Sequence, residues 1–476
     1  IHVTRDGGKN WENVTPPKMP EWMQINSIEA HPTEAGGLYV AGTRYKLDDF
    51  KPYIYKTTDY GKSWELITKG IDSKHFTRVV RADAKRAGLL YAGTESGLYI
   101  SFDDGANWKS FQCNVPVVPI TDLALKDDDL IVATQGRSFW VLDDLTPIQQ
   151  WQPEILKQPF HLFASRPTYR MRGGTGRASS RAGANVASGV HLRFYAKEKL
   201  DKDEVARLEI RDPQGNLAQV FSTKPDAKAN ESKLSVEPGM NQTSWSMRYA
   251  GAESFDGLVL WGGGTQGPMA VPGLYQAKLT VGSTESKKDE AAETDEATVE
   301  ETPGFAQVVE FEILKDPRAS ASQEDLQEQF DFLIAVRDKL TETHTAIKRL
   351  RDVRSQVESL QKRVKDKDEY KDVLAKGSSL IEAISKIEKR LYQTKNQAPQ
   401  DPLNFPIRLN NRLSALVSVV SSGDNRPTAQ AYLVREELTK EIDSQLQQLQ
   451  DSLGEQVDEF NAAVLEAQIP AVFVDE

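Results

Sequence analysis

One cysteine, Cys113, stands among 476 residues, so no disulfide can form within the chain. A single thiol suits cytosolic chains and many exported bacterial chains alike, and it settles no compartment. Histidine is nearly as scarce: His2, His31, His75, His161, His191 and His344 lie far apart. Neither the H-E-x-x-H pair nor any short metal-ligand spacing occurs among them. No G-x-S-x-G stretch offers a serine nucleophile elbow. No apolar run approaches the roughly 20 residues that cross a bilayer as a helix. Basic residues are in the minority, 59 Lys and Arg against 70 Asp and Glu, for a net charge of −11. That balance argues against a DNA-backbone partner and for a soluble, acidic module. The reading is therefore of no metal, no cofactor, no catalytic residue, no nucleic acid and no transmembrane segment.

What the chain has instead is repetition. Thr4-Arg5-Asp6-Gly7-Gly8-Lys9-Asn10-Trp11 returns as Thr57-Thr58-Asp59-Tyr60-Gly61-Lys62-Ser63-Trp64, and again as Ser101-Phe102-Asp103-Asp104-Gly105-Ala106-Asn107-Trp108. Each copy reads hydroxyl, x, Asp, x, Gly, x, x, Trp. An aspartate in a tight turn accepts hydrogen bonds from backbone N–H groups, and glycine supplies a positive φ. The tryptophan is expected to pack its ring on the sheet that the turn caps. The strands between the turns repeat as well: Gly37-Leu38-Tyr39-Val40-Ala41-Gly42-Thr43, then Leu89-Leu90-Tyr91-Ala92-Gly93-Thr94, then Leu130-Ile131-Val132-Ala133-Thr134. A fourth turn has decayed to Asp143-Asp144. Recurrence at this interval marks a radial or stacked repeat.

The octapeptide resembles the Asp-box of the bacterial-neuraminidase (BNR) repeat of sialidase-like and sortilin-like β-propellers. Successive aspartates stand 53 and 44 residues apart, close to the length of a four-stranded blade. The resemblance makes Thr4, Asp6, Gly8 and Trp11, Thr57, Asp59, Gly61 and Trp64, and Ser101, Asp103, Gly105 and Trp108 structural Asp-box residues. The order of segments resembles the C-terminal half of large bacterial BNR-repeat glycosyl-hydrolase or sortilin-like proteins. Pro238-Gly239-Met240-Asn241, Trp245-Ser246-Met247-Arg248 and Val271-Pro272-Gly273-Leu274-Tyr275 are similar to the Ig-like domain of flagellar hook-capping proteins. The close, through Pro402-Leu403-Asn404-Phe405-Pro406 and Asn461-Ala462-Ala463-Val464, is also typical of the BNR family's end. The resemblance implies a longer bacterial parent with further blades and a signal peptide before residue 1, secreted, periplasmic or on the cell surface.

The expected fold is multidomain. Residues 1–150 are incomplete Asp-box propeller blades, and 151–187 are a connector with a Gly/Arg-rich loop. Residues 188–316 are an Ig-like β-sandwich, and 318–476 a helical hairpin or bundle with coiled-coil character. In the sandwich, Asp212-Pro213-Gln214-Gly215-Asn216 turns one strand into the next. The acidic, Thr/Ala/Glu-rich stretch 282–303 cannot bury enough apolar surface to order itself, so a mobile loop is expected there. From Ser322 the hydrophobic period becomes seven. Leu326, Leu333, Leu340 and Ile347 form one track, and Val336, Leu350, Val357 and Val364 another, with Thr343 in register. Ser322 and Asp325 read as the helix start. The tracks are satisfied either by the helix from Ile442 to Val464 or by a second chain, and the nearby stripe favours the first.

Chemistry is harder to place. Sialidase-like hydrolysis needs an arginine cluster, a Tyr/Glu pair and an acid; Arg44, Arg78, Arg81, Arg137, Tyr45 and Glu95 are available, yet their spacing selects none. Asp48-Asp49, Asp103-Asp104 and Asp143-Asp144 read as turn acids rather than an acid/base pair. Cys113 reads as a buried small residue. Gly262 to Gly267 matches G-x-G-x-x-G, but Pro268 and Pro272 forbid the helix that would hold a pyrophosphate, so it is a strand-end loop. Arg172, Arg177 and Arg181 form one basic island, suited to an acidic surface. The expectation is a non-catalytic binding or scaffolding protein with a protein or glycan ligand at the propeller. Its helical tail serves docking or self-association. The alternative is a glycoside hydrolase whose catalytic residues lie in further N-terminal blades.

Overall fold

The computed structural model describes residues 1–171, 183, 186–226, 230–283, 302–365 and 367–470. They divide into two compact units, 1–157 and 158–476. The Arg172, Arg177 and Arg181 island and residues 284–301 of the acidic stretch lie outside the described residues.

The first unit is a run of small antiparallel sheets, each a meander in chain order. A two-stranded ribbon, His2–Val3 with Glu12–Asn13, comes first. Next is a four-stranded sheet of Gln24–Ala30, Leu38–Arg44, Asp49–Thr57 and Glu65–Leu66. Another follows from Thr77–Ala82, Leu90–Thr94, Gly97–Ser101 and Lys109–Ser110. The last has three strands, Ile120–Lys126, Asp129–Thr134 and Phe139–Leu142, before the short helix α1 (Thr146–Gln150). A closed ring is not present among the described residues.

Repetition extends to a detail that the sequence pattern does not display. In each of these three sheets the first strand carries a register shift near its start, at Ile25/Ser27, Thr77/Val79 and Ile120/Asp122. Such a bulge sharpens the local twist at the same place in every copy. The central strands, apolar on both faces, pack against the neighbouring sheets. Tyr39, Ala41 and Ile54 share a core with Val80, Leu90, Ala92 and Tyr99. Val79, Tyr91 and Leu98 share the next with Ile120, Leu123 and Leu130.

The second unit begins with two sheets. One has three strands, Phe160–Leu162, Val190–Ala196 and Gly239–Trp245. The other has six, in the order Thr168–Arg170, Thr302–Lys315, Gly273–Ser283, Glu204–Arg211, Leu217–Ser222 and Ser232–Lys233. Alternation is strict: Val190, Leu192, Phe194 and Ala196 are buried and their neighbours are not. These residues meet Leu208, Ile210, Trp245, Tyr275 and Phe311 in one core, as two facing sheets require. The Asp212 turn forms as its residues dictate, with the carboxylate accepting from the N–H groups of Gln214 and Asn216.

Helix α2 (Gln323–Val364) starts in a reciprocal capping box between Ser322 and Asp325. Helices α3 (Lys371–Leu391), α4 (Leu409–Val420) and α5 (Ala429–Glu466) follow. Both α2 tracks are buried; Leu333, Val336, Leu340, Ile347, Leu350 and Val357 share a single core with Leu380, Ile384, Leu413, Ile442 and Leu449 of the other three helices, while Leu326 packs with Val271 and Ala321. Thr343 is fully buried in that register, its hydroxyl donating to the Lys339 carbonyl at 2.7 Å. The stripes are thus covered within the chain.

The sheets and helices of this unit are joined through a strap, residues 250–267. Ala252 and Phe255 belong to the helical core. The Trp261 N–H donates to the Asn411 carboxamide oxygen at 2.8 Å, and the Asn411 amide returns a bond to the Trp261 carbonyl at 2.8 Å. The Tyr392 hydroxyl donates to the Gly257 carbonyl and accepts from the Val259 N–H. Gly263 lies so close to Ser414 of α4 that a Cβ would stand 2.2 Å from its Oγ. The Gly262 to Gly267 run is therefore a loop, and its glycine serves close packing. A second tie is polar. Buried Arg170 pairs with Asp424 at 2.7 Å, and Gln329 of α2 donates to the carbonyls of Val420, Gly423 and Asn425.

Candidate functional site

The three aspartate turns are built alike, bond for bond. The hydroxyl of Thr4, Thr57 or Ser101 donates to its aspartate at 2.8–2.9 Å and accepts from the N–H of Gly8, Gly61 or Gly105 at 2.8–3.0 Å. The aspartate's Oδ1 accepts from the backbone N–H four residues on, at Asn10, Ser63 and Asn107. Its Oδ2 accepts from that residue's side chain at 2.6–2.7 Å. The position before the tryptophan is thus a second polar requirement. The sequence displays it as Asn, Ser, Asn, though the eight-residue pattern above leaves it as x. Two successive residues hold positive φ: Gly7 and Gly8 (72° and 90°), Tyr60 and Gly61 (60° and 83°), Asp104 and Gly105 (60° and 86°).

These bonds hold the carboxyls ionised. Hydrogen bonds from Ser63 hold Asp59 at about 2, and bonds from Asn10 lower Asp6. Burial opposes the shift at Asp103, but the Asn107 bonds outweigh it and leave that carboxyl lowered as well. A carboxylate whose lone pairs are committed in this way is poorly placed to trade protons with a substrate.

The tryptophans do what the local pattern could not state. The Trp64 indole N–H donates to the Val14 carbonyl at 2.8 Å, and that of Trp108 to the Ile67 carbonyl at 2.8 Å. Val14 and Ile67 each stand three residues beyond the previous tryptophan. Their side chains are buried under the next turn glycine: a Cβ on Gly61 would stand 2.5 Å from Val14, and one on Gly105 2.4 Å from Ile67. Each turn is thereby a receptor for the segment that follows the preceding turn. At the first turn this side faces outward. A Cβ on Gly8 would meet nothing closer than 4.0 Å, and the Trp11 indole bonds only within its own turn, to the Gly8 carbonyl at 3.1 Å. Exposure follows the same order: 61% for Trp11, intermediate for Trp64 and 3% for Trp108. The expectation that all three rings pack on their sheets does not hold at Trp11, which is 61% exposed and whose indole bonds, among the described residues, to its own turn.

The residues considered for sialidase-like chemistry come together only in part. Arg78 donates to Glu95 at 2.7 Å and lies 5.9 Å from the Tyr45 ring centroid, while Tyr45 stacks on Phe76 at 4.9 Å. Arg44 is held by Asp49 at 2.9 Å, and Arg81 by Asp122 at 2.7 Å. Arg137 donates to the Gly136 carbonyl beside it. The paired acids are likewise apart in role. Asp104 accepts from Lys56 and Tyr39, and Asp144 from the Thr146 N–H and hydroxyl. Cys113 is exposed, against expectation, because its left-handed turn at φ 45° keeps it out of the neighbouring core. No group of three metal-ligating side chains occurs among the described residues. Among the described residues no helix is long and apolar enough to cross a membrane.

No protein family matches the chain, and no curated protein does. Among solved structures it is similar to a GH74 xyloglucanase from Xanthomonas campestris, at 16% identity and a TM-score of 0.19. That match covers 36% of this chain and 29% of the xyloglucanase. The computationally designed Ika8 protein matches at 11% identity over 55% of this chain and 84% of its own, with a TM-score of 0.18. Likenesses at such scores carry no inference about activity.

Proposed function

We propose that this chain is a non-catalytic binding or scaffolding module of a secreted or cell-envelope bacterial protein. Its repeat region takes a protein or glycan partner, and its helical region serves docking or assembly. The finer fold reading belongs to the same proposal: Asp-box blades of a sortilin-like or sialidase-like propeller, followed by an Ig-like sandwich. The observation that supports it is the state of the three turn carboxylates, each committed to a backbone N–H and a side chain of its own turn and so poorly suited to acid–base work. The arginines argue in the same direction, since Arg44, Arg78 and Arg81 are each neutralised by an acid and offer no free cluster to a substrate carboxylate.

The test is a pull-down of the native chain with mass spectrometry, run beside a hydrolysis assay on xyloglucan and a sialoside. A partner retained by the chain, with no sugar released, supports the reading. Release of sugar from xyloglucan or a sialoside by the purified chain overturns it.

A further inference from the structure

Between α2 and α3 lies an open cavity of about 330 Å³, lined by Arg351, Arg354, Ser385, Glu388, Lys389 and, just past α3, Thr394. Its volume lies at the low end of the roughly 300–1,000 Å³ range of small-molecule sites. In a chain of net charge −11 the cavity is locally positive: three cations face one carboxylate, an excess of two. We infer that it is a binding site for a dianionic oxyanion, of the phosphate-monoester or inorganic-phosphate type.

Glu388 argues for a built site. Its side chain is only 3% exposed, and its two oxygens accept from Arg351 Nε and Arg354 Nη2, each at 2.6 Å. Arg351 is also fixed from behind, 4.7 Å from the Phe255 centroid and 5.5 Å from that of Tyr392. The carboxylate therefore holds two guanidinium groups in place, and their side-chain ordering is complete before any ligand arrives.

The donors left over point to the ligand. Arg354 bonds to Glu388 through Nη2 alone among the described residues, which leaves other donors of its fork over. The side chains of Lys389, Ser385 and Thr394 make no hydrogen bond there, and all three line the cavity. A fork, an ammonium and two hydroxyls are the groups that bind phosphate oxygens. The carbonyl end of α3 lies close by and subtracts about half a charge, which still leaves the cavity positive. A monocarboxylate would leave part of that charge uncompensated. A phosphate monoester, with its second pKa near 6, is close to doubly charged at neutral pH.

The experiment is isothermal titration of the full chain at low ionic strength with inorganic phosphate, glucose 6-phosphate and glucose. Saturable one-to-one binding of a phosphate compound, with none for glucose, is the expected result. Tighter binding of glucose 6-phosphate than of phosphate assigns the site to an ester, and equal or weaker binding assigns it to the free ion. Lys389→Gln and Ser385→Ala break no side-chain hydrogen bond or ion pair among the described residues and should leave the helix signal unchanged. Each loses a charged or charge-assisted contact, so affinity should fall about tenfold for Lys389→Gln and less for Ser385→Ala. Absence of saturable binding at millimolar phosphate overturns the inference. So does binding that Lys389→Gln leaves unaltered.

Discussion

The two compact units of this chain reach order by opposite routes. Residues 1–157 repeat one local device, and successive copies meet in shared cores and through the backbone carbonyl and aliphatic side chain that Trp64 and Trp108 and their turn glycines receive from the copy before. Residues 158–476 are tied together by contacts between distant positions: Phe255 in the helical core, Asn411 on Trp261, Gln329 on three carbonyls of the segment after α4. In the first unit, damage should be graded by position along the repeat. In the second it should spread to sheets and helices alike.

The largest test of that contrast is Leu340→Asp. Leu340 is fully buried in the four-helix core, and an unpaired carboxylate there should cost about 5 kcal/mol or more. Because the strap places Phe255 in the same core, hydrogen-exchange protection should fall over 190–283 as well as over 323–466. Loss confined to the helices would show that the sheets hold without them.

Next in size is the tryptophan series. Trp108→Ala should cost about 3–5 kcal/mol, the usual loss for a buried large aromatic. Trp64→Ala should cost less, its ring being half-buried, and Trp11→Ala under about 1 kcal/mol. Denaturant midpoints of the three variants measure this. Equal costs would mean that exposure does not decide what each tryptophan contributes.

Glycine gives a smaller version of the same gradient. Gly105→Ala combines a φ of +86° with a Cβ 2.4 Å from Ile67, and should cost about 2–3 kcal/mol. Gly8→Ala meets only the backbone penalty, about 1 kcal/mol. Thermal midpoints that fail to separate the pair would remove the receptor role of the glycine.

Acid should distinguish the units most gently. His344 is fully buried between the Glu253 carbonyl at 2.6 Å and Asn410 at 3.3 Å, and burial lowers its pKa below 6.5. The unfolded chain then binds a proton that the folded one refuses, so stability falls as pH drops below 6.5. His344→Gln should flatten that slope for the second unit. Asp59 has the opposite arrangement, a folded carboxyl near 2 against an ordinary 3.8. Its contribution is complete above 3.8 and is lost as pH falls through about 2. Proton-binding curves for Asp59→Asn and His344→Gln should therefore differ in separate pH windows.

What the sequence made legible follows from the same contrast. The turns were readable because every group that closes them lies within eight residues, and hydroxyl, aspartate and glycine leave a local signature. The start of α2 was readable for the same reason, since Ser322 and Asp325 are three residues apart. The indole bonds to Val14 and Ile67 were not, because an acceptor carbonyl carries no residue preference. Nor was the strap: Phe255 looks like any loop aromatic until α2 and α3 are placed around it, and Gly263 is explained only by Ser414, about 150 residues away. The Arg351, Arg354 and Glu388 cluster was hidden among the alternating charges of the helical tail, where every neighbour reads as a solvated face.

The indole-to-carbonyl register also fixes where one copy of the repeat ends and the next begins. If each turn is completed by the residue three past the preceding tryptophan, the natural cassettes are 14–66 and 67–110, and a cut made from turn to turn divides both. Excising or duplicating a cassette at those joints keeps every aliphatic plug matched to a glycine and every indole matched to a carbonyl. A change of copy number made from turn to turn instead makes the pairs re-form between segments that do not meet in this chain. The chain's tolerance for growth or shortening is set by that three-residue offset rather than by the turns that first catch the eye.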